Sequence, residues 1–375
     1  MRTALAASGV ATALLLPLGG WRQAAGVGLA TGLVVAAWSL TRARPAWVER
    51  AVGAVRPATT RLADATRRSQ CTVRTIALVA LLAAPFAFNN YVLDVLTLAW
   101  LYVVLALGLQ ITVGLAGLLD LGYVSFYAIG AYSYALASTA WGVPFWAGLP
   151  LGALVAAAFG VLLGVITLRL RGDYLAIVTL GFIQIVHLVL VNWDSVTNGP
   201  NGILGIGRPQ IGPFTLASPP QFYYVTLAVA LLAILVNTRL RASRVGRALM
   251  AIRDDELAAE SMGVPTTRLK VLAFALGAAW AGVAGVCFAA RYAFVSPESF
   301  TFFESVVVLA MVVLGGMCNV WGVAAGAVAI VLLPELLRGA ADYRMLVFGA
   351  ALVAMMAWRP EGLGRRAVVR RARPA

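Results

Sequence analysis

The residues able to do chemistry are few, and they stand in two settings. One is a charged stretch, Arg239 to Gly263, which gathers Arg247, Arg253, Asp254, Asp255 and Glu256. The other consists of isolated polar groups in apolar text: Asp120, Gln184 and His187. Gln184 and His187 are three residues apart, so on a helix they share a face. Polar groups inside a membrane span are costly, and they mark either pathways or structural hydrogen bonds. For Gln184 and His187 both readings stand, with a satisfied structural hydrogen bond the favoured one. Asp120 follows a glycine-rich break and could orient a helix end. His187 is the single histidine, so an HExxH zinc site is excluded. Cys71, Cys287 and Cys318 form no CxxC pair, which argues against a thiolate metal site or a disulfide framework. The one lysine, Lys270, is not in a Gly-Lys-Ser/Thr loop, and no GxSxG elbow is present. If ATP is used, another subunit binds it.

The elements that must position these residues are set by composition. Of 375 residues, 61% are hydrophobic and 12% charged, with mean hydropathy +0.88. A soluble domain is about half apolar and roughly a quarter charged, so the soluble and disordered classes are excluded. At about 20 residues per membrane-crossing helix, the apolar residues supply ten or more spans. Twelve stretches read as spans: 4–20, 24–40, 75–92, 94–113, 119–139, 146–168, 174–192, 221–238, 270–291, 303–316, 320–337 and 343–358. The first has a short apolar run and one early arginine but no clear small-x-small cleavage site. It is read as a retained span rather than a signal peptide. The predicted organisation is two N-terminal spans (1–41), a basic interfacial segment (42–74), a core of ten spans (75–358) and a basic tail (359–375).

Sidedness follows from arginine, which is retained on the cytoplasmic face. With the N-terminus inside, 24 of the 29 basic residues fall on the inner side, and both termini are predicted cytoplasmic. The net charge of +14 then reads as lipid-facing anchoring at the inner surface rather than nucleic-acid binding. Small residues recur at four-residue spacing (Gly28/Gly32, Gly160/Gly164, Ala278/Gly282, Gly322/Gly326), a pattern that lets helix backbones approach closely. Packing within one bundle is the favoured reading over a dedicated dimer face. Gly114, Gly117, Gly315 and Gly316 interrupt two spans near the inner side. Interrupted helices are tolerated at membrane depth where they line a cavity or pathway.

The segment 239–269 is long for a helix connector. Leu249, Ile252, Leu257 and Met262 are compatible with one or two short amphipathic helices. Asp254, Asp255 and Glu256 suit a helix N-terminus, and Gly263 suits a helix end. An ordinary solvated loop is the plain alternative; length and alternating charge favour a docking element that a partner can push or pull.

Leu257-Ala-Ala-Glu-Ser-Met-Gly263 resembles the EAAxxxG coupling motif of bacterial ABC-importer permeases, with Leu257 where glutamate usually stands. The stretches starting at Gly114, Arg171, Thr197, Gly246 and Gly315 resemble, in the same order, LivM-type permeases of branched-chain amino acid ABC importers. The likeness runs from about residue 95 to 335. It implies a ten-helix core like that of cobalamin-type importers and transport of branched-chain or related amino acids, amides or urea. It also implies a place in the bacterial inner membrane. The implied partners are a LivH-type permease, two cytoplasmic ABC ATPases that bind the ATP, and an extracytoplasmic substrate-binding protein. No cofactor, metal or enzymatic role of this chain's own is implied. In this frame Arg247, Arg253, Asp254, Asp255 and Glu256 are expected as charged docking contacts, and Ala258, Ala259 and Gly263 at points of close approach. Two departures stand out: neutral Gln184 and His187 where the family leads one to expect glutamate and arginine, and Cys318 where it leads one to expect glycine. An ion-coupled secondary transporter using Asp120 and His187 is the rival reading.

Overall fold

A computed structural model describes residues 89–167, 173–211, 214–215 and 218–336, with Pro85 and Gly349 besides. The expected spans 4–20, 24–40 and 343–358, the segment 42–74 and the tail 359–375 lie outside the described residues, as does most of 75–92.

The described chain is helical. Helix α1 (Asn90–Leu109) carries one acidic residue, Asp94, in an otherwise apolar run and passes directly into a π-turn, Gln110–Leu115. An irregular stretch leads to α2 (Val124–Trp141), which ends on Gly142 in the left-handed conformation, φ 64°. Then come α3 (Phe145–Ile166), α4 (Asp173–Asn192) and α5 (Pro219–Ala242). Two short helices follow, α6 (Arg244–Asp254) and α7 (Glu256–Ser261). The series closes with α8 (Thr266–Tyr292), α9 (Phe302–Gly315) and α10 (Val320–Leu336). Among the described residues six segments are long and apolar enough to cross a membrane: Asn90–Leu115, Phe145–Ile166, Tyr174–Asn192, Pro219–Ala242, Thr266–Tyr292 and Pro297–Gly315. This is a polytopic helical bundle.

The sequence pattern starts the third of these core spans at 119, whereas α2 begins at Val124. Leu118, Leu119 and Leu121 keep the stretch apolar, but Gly117 takes a left-handed φ of 71°. Asp120 then accepts the Gly122 N–H (3.0 Å), an Asx-type turn that competes with the helix.

Helix α8 lies at the centre, packed on α1, α2 and α3. Small residues make this possible. A Cβ at Gly130 would fall 2.4 Å from the Gly282 Cα, one at Gly282 would meet Gly152 O at 2.3 Å, and one at Gly160 would meet the Ala278 Cβ at 2.6 Å. Gly315 is similarly closed against Gly322 and Val323. In lipid, where no hydrophobic force draws helices together, such backbone approach supplies the packing. The four-residue small stripes at 160/164, 278/282 and 322/326 are spent inside this bundle.

Cross-chain contacts sort the connections into two ends. At one end β1 (Ile203–Leu204) pairs antiparallel with β4 (Phe294–Val295), the Trp146 indole donates to Gln210 O (2.8 Å), and Arg291 pairs with Asp94. A hairpin, β2 (Gln210–Ile211) with β3 (Phe214–Thr215), belongs to the same connection as β1. At the other end α6, followed by α7, meets the chain breaks after α1 and after α9 through Arg253. The first turn of α9 is tied into the bundle where Ser305 Oγ accepts the Val124 N–H (3.2 Å) and Glu304 accepts the Tyr102 hydroxyl (2.7 Å).

Replacing Gly282 by leucine forces backbone apart and is expected to cost about 1–3 kcal/mol or more. The thermal unfolding midpoint in detergent should fall clearly. Gly181→Leu, at a site with nothing within 4 Å of its Cβ, should leave the midpoint unchanged or raise it slightly.

Candidate functional site

The charged segment folds as two helices because each has its own cap. Ser243 is extended and its Oγ accepts the Gly246 N–H (3.1 Å), opening α6. Asp255, extended at φ −159°, breaks α6 from α7, and its Oδ1 accepts the Ala258 N–H (3.0 Å). Glu256 adds negative charge in the first turn of α7, where the helix dipole favours it. Gly263 closes the unit at φ 80°. The Val264 N–H reaches back to Ala259 O (3.1 Å), a Schellman-like ending.

One face of the pair is turned to the bundle. Leu249, Ile252 and Ala259 are buried. The Arg253 guanidinium donates to Gly114 O (2.7 Å) and to Cys318 Sγ. It thereby bridges the break after α1 and the turn after α9. Gly117 lies against the same side chain, and a Cβ there would meet Arg253 Cγ at 2.8 Å. Its left-handed φ already excludes most residues. The two breaks are also joined directly, since Gln110 in the π-turn donates to Met317 O (3.1 Å). Behind them Lys270, buried at the start of α8, pairs with Glu256 at 2.6 Å.

The opposite face is free of the bundle. Arg247 donates to Ala242 O (2.8 Å) and, like Asp254, Asp255, Ala258 and Gly263, is exposed. Leu257 and Met262 project furthest, at 62% and 84% exposure. The amphipathic pattern expects both on the buried face. The cap at Asp255 changes the helix direction after one residue, so the period established in α6 does not carry through α7.

A family model described as "Branched-chain amino acid transport system / permease component" matches residues 91–356. The chain belongs to this family. It is 47% identical over 309 residues to a high-affinity branched-chain amino acid transport system permease protein LivM of Salmonella typhimurium, covering 76% of this chain and 73% of that protein. The corresponding LivM protein of Escherichia coli is 46% identical over the same length and shares. A LivH permease of Escherichia coli is 26% identical over 301 residues, 74% of this chain and 96% of that one. No solved structure matches the chain.

In this permease the sequence-selected residues divide by placement. Of the expected docking contacts, Arg253 and Glu256 are half-buried and engaged with the bundle, while Arg247, Asp254 and Asp255 are on the free face. Of the residues expected at close approach, Ala259 is buried and Ala258 and Gly263 are exposed. The glycines 114, 117, 315 and 316 all lie at the two breaks that Arg253 joins, with Gly316 at φ 93°. Cys318, where glycine is expected, supplies one of the two Arg253 acceptors. Asp120 is fully buried behind the first break, with Oδ1 on Gly122 N–H and Oδ2 without a hydrogen-bond partner. Gln184 and His187 are elsewhere, on α4, at a cavity beside the first turn of α9. Among the described residues no group of three His, Cys, Asp or Glu side chains could hold a metal ion. Residues that sequence reasoning does not select are Gln110, Lys270 and Met317; a glutamine beside the Gly114 break is the one available signal.

Loss of an N-cap costs about 1 kcal/mol, a factor of roughly five in local opening. Asp255→Ala is expected to speed amide hydrogen exchange in residues 256–262 by about that factor, with α8 unchanged.

Proposed function

We propose that this permease is a membrane subunit of an ATP-driven importer that moves branched-chain amino acids, or close chemical relatives, into the cytoplasm. The reading is carried by one observation: α6 and α7 form a rigid projection whose inner face holds both helix breaks through Arg253 and whose outer face presents Leu257 and Met262. A projection of this kind is suited to a cleft in a cytoplasmic motor. Two ABC ATPases would bind the nucleotide, and this chain would contribute neither a nucleotide site nor a cofactor. The end carrying α6 and α7 would then face the cytoplasm, in agreement with the arginine distribution. The β1–β4 end would face outward and receive substrate from an extracytoplasmic binding protein.

Likeness to both LivM and LivH proteins supports pairing with a LivH-type permease, because chains of one fold associate readily about a pseudo-twofold axis. The ten-helix core, the two N-terminal spans and cytoplasmic termini complete this picture. Membrane lipid covers the remaining apolar faces, and anionic headgroups take the basic tail; nucleic acid has no part in it.

In this scheme ATP binding closes the motor on α6 and α7, and the displacement passes through Arg253 to the segments at Gly114 and Cys318. The two faces of the projection therefore have separable roles. Leu257→Asp is expected to weaken capture of the ATPase subunits by affinity-tagged permease at least tenfold. Arg253→Ala should leave capture within twofold of wild type and lower substrate uptake per ATP hydrolysed at least tenfold in proteoliposomes. Full capture by the Leu257 variant together with full coupling by the Arg253 variant would refute the assignment.

A further inference from the structure

The first turn of α9 starts inside the bundle and borders a cavity of about 270 Å³ that the coupling segment does not touch. Its walls divide by chemistry. Ile183 and Phe300 are buried and apolar, and Phe303 stands at the rim. The polar groups are Gln184 and His187 from α4 and Thr301, the residue that opens α9. His187 Nδ1 is buried and has no hydrogen-bond partner. Thr301 gives α9 no side-chain cap, and the first N–H groups of a helix have no partner within it; Glu304, acidic in the same turn, is outside the cavity lining and accepts the Tyr102 hydroxyl.

We infer that this cavity is a transit site for a zwitterionic aliphatic amino acid. The inference rests on the transport reading above and names where in the chain the solute is held. The volume is close to the lower bound of about 300 Å³ for small-molecule pockets, which suits a solute of amino-acid size. Within the cavity the two charges of a zwitterion meet opposite polarity. The carboxylate is directed to the start of α9 and the Thr301 hydroxyl, where the helix dipole is positive. Interrupted helices in transporters present their N-termini to anionic substrate groups in this way. The ammonium group is directed to the Gln184 amide oxygen and to His187 Nδ1, which accepts when the imidazole is neutral with its proton on Nε2. The aliphatic side chain lies on Ile183 and Phe300. A cationic residue at position 187 would repel the ammonium group, so the neutral pair on α4 is consistent with this arrangement.

The test uses the whole importer, reconstituted in proteoliposomes with its ATPases, partner permease and loaded binding protein, and reads leucine taken up per ATP hydrolysed. His187→Phe and Gln184→Leu each remove a polar wall group at similar size. The expected result is a fall in that ratio of at least tenfold for both, with subunit assembly intact by size-exclusion chromatography. If His187→Phe does not assemble, Gln184→Leu, at a position exposed at the cavity mouth, decides alone. A ratio within twofold of wild type in an assembled variant overturns the transit site while leaving the importer reading in place. If wild-type proteoliposomes take up leucine only in response to an ion gradient, without ATP, the importer reading itself has failed.

Discussion

Backbone that leaves helical geometry inside a bilayer exposes carbonyls that lipid cannot satisfy, each at a cost of several kcal/mol. The organisation of this permease depends on how two such carbonyls are satisfied. Gly114 O, released where the π-turn gives way to irregular chain, accepts from Arg253. Met317 O, released in the turn between α9 and α10, accepts from Gln110. Each break thus draws its donor from outside itself, one from α6 and one from the other break. A charged donor to a carbonyl contributes about 1.5–3 kcal/mol, more than a typical neutral hydrogen bond. Arg253 on α6 thus satisfies the carbonyl of the first break, while Gln110 satisfies that of the second.

This dependence is placed against a stiff background. Helices α1, α2, α3 and α8 approach through glycine and alanine so closely that one methyl group at Gly130 or Gly282 would strike backbone. Helix α4 is held differently. About 28% of its spanning window is buried within the chain, the same share as for α3, but Gly160 of α3 is closed against α8 whereas Gly181 of α4 has nothing within 4 Å of its Cβ. Its ties include Thr179, whose Oγ1 accepts the Leu121 N–H (3.0 Å), and the Phe126–Phe182 ring contact. Leu121 belongs to the irregular stretch after the first break. That stretch therefore links the first break to the helix that carries Gln184 and His187.

Local signals in the sequence suffice for much of this. Glycine pairs at 114/117 and 315/316 locate the breaks, because few other residues accept left-handed φ at Gly117 and Gly316. Asp255 and Gly263 locate the boundaries of α7, because caps act over three or four residues. The partners of Arg253 are not legible: its acceptors lie 139 and 65 residues away in sequence, and an arginine in a soluble loop reads first as surface charge. Periodicity assigns Leu257 and Met262 to the buried face only by running the helical period across a cap that redirects the chain. Hydropathy places the start of α2 early because it cannot separate a helix from buried extended chain of the same composition. Gln184 and His187 can be paired by spacing, but their common cavity is completed by Thr301 and Phe303, which no periodicity connects to them.

A motion at α6 can be felt at the cavity by two routes, and α9 supplies the shorter. Its fourteen residues span about 21 Å, at a rise of roughly 1.5 Å per residue. One end, Gly315, leads into the turn that Arg253 and Gln110 hold; the other, Thr301, lines the cavity. A helix of this length moves nearly as a rigid body, so a shift of the turn at 316–318 displaces both ends together. The first break acts in parallel through Leu121 and Thr179 on α4, the opposite wall of the same cavity. Arg253 holds both breaks with one guanidinium, and so it bears on both walls at once.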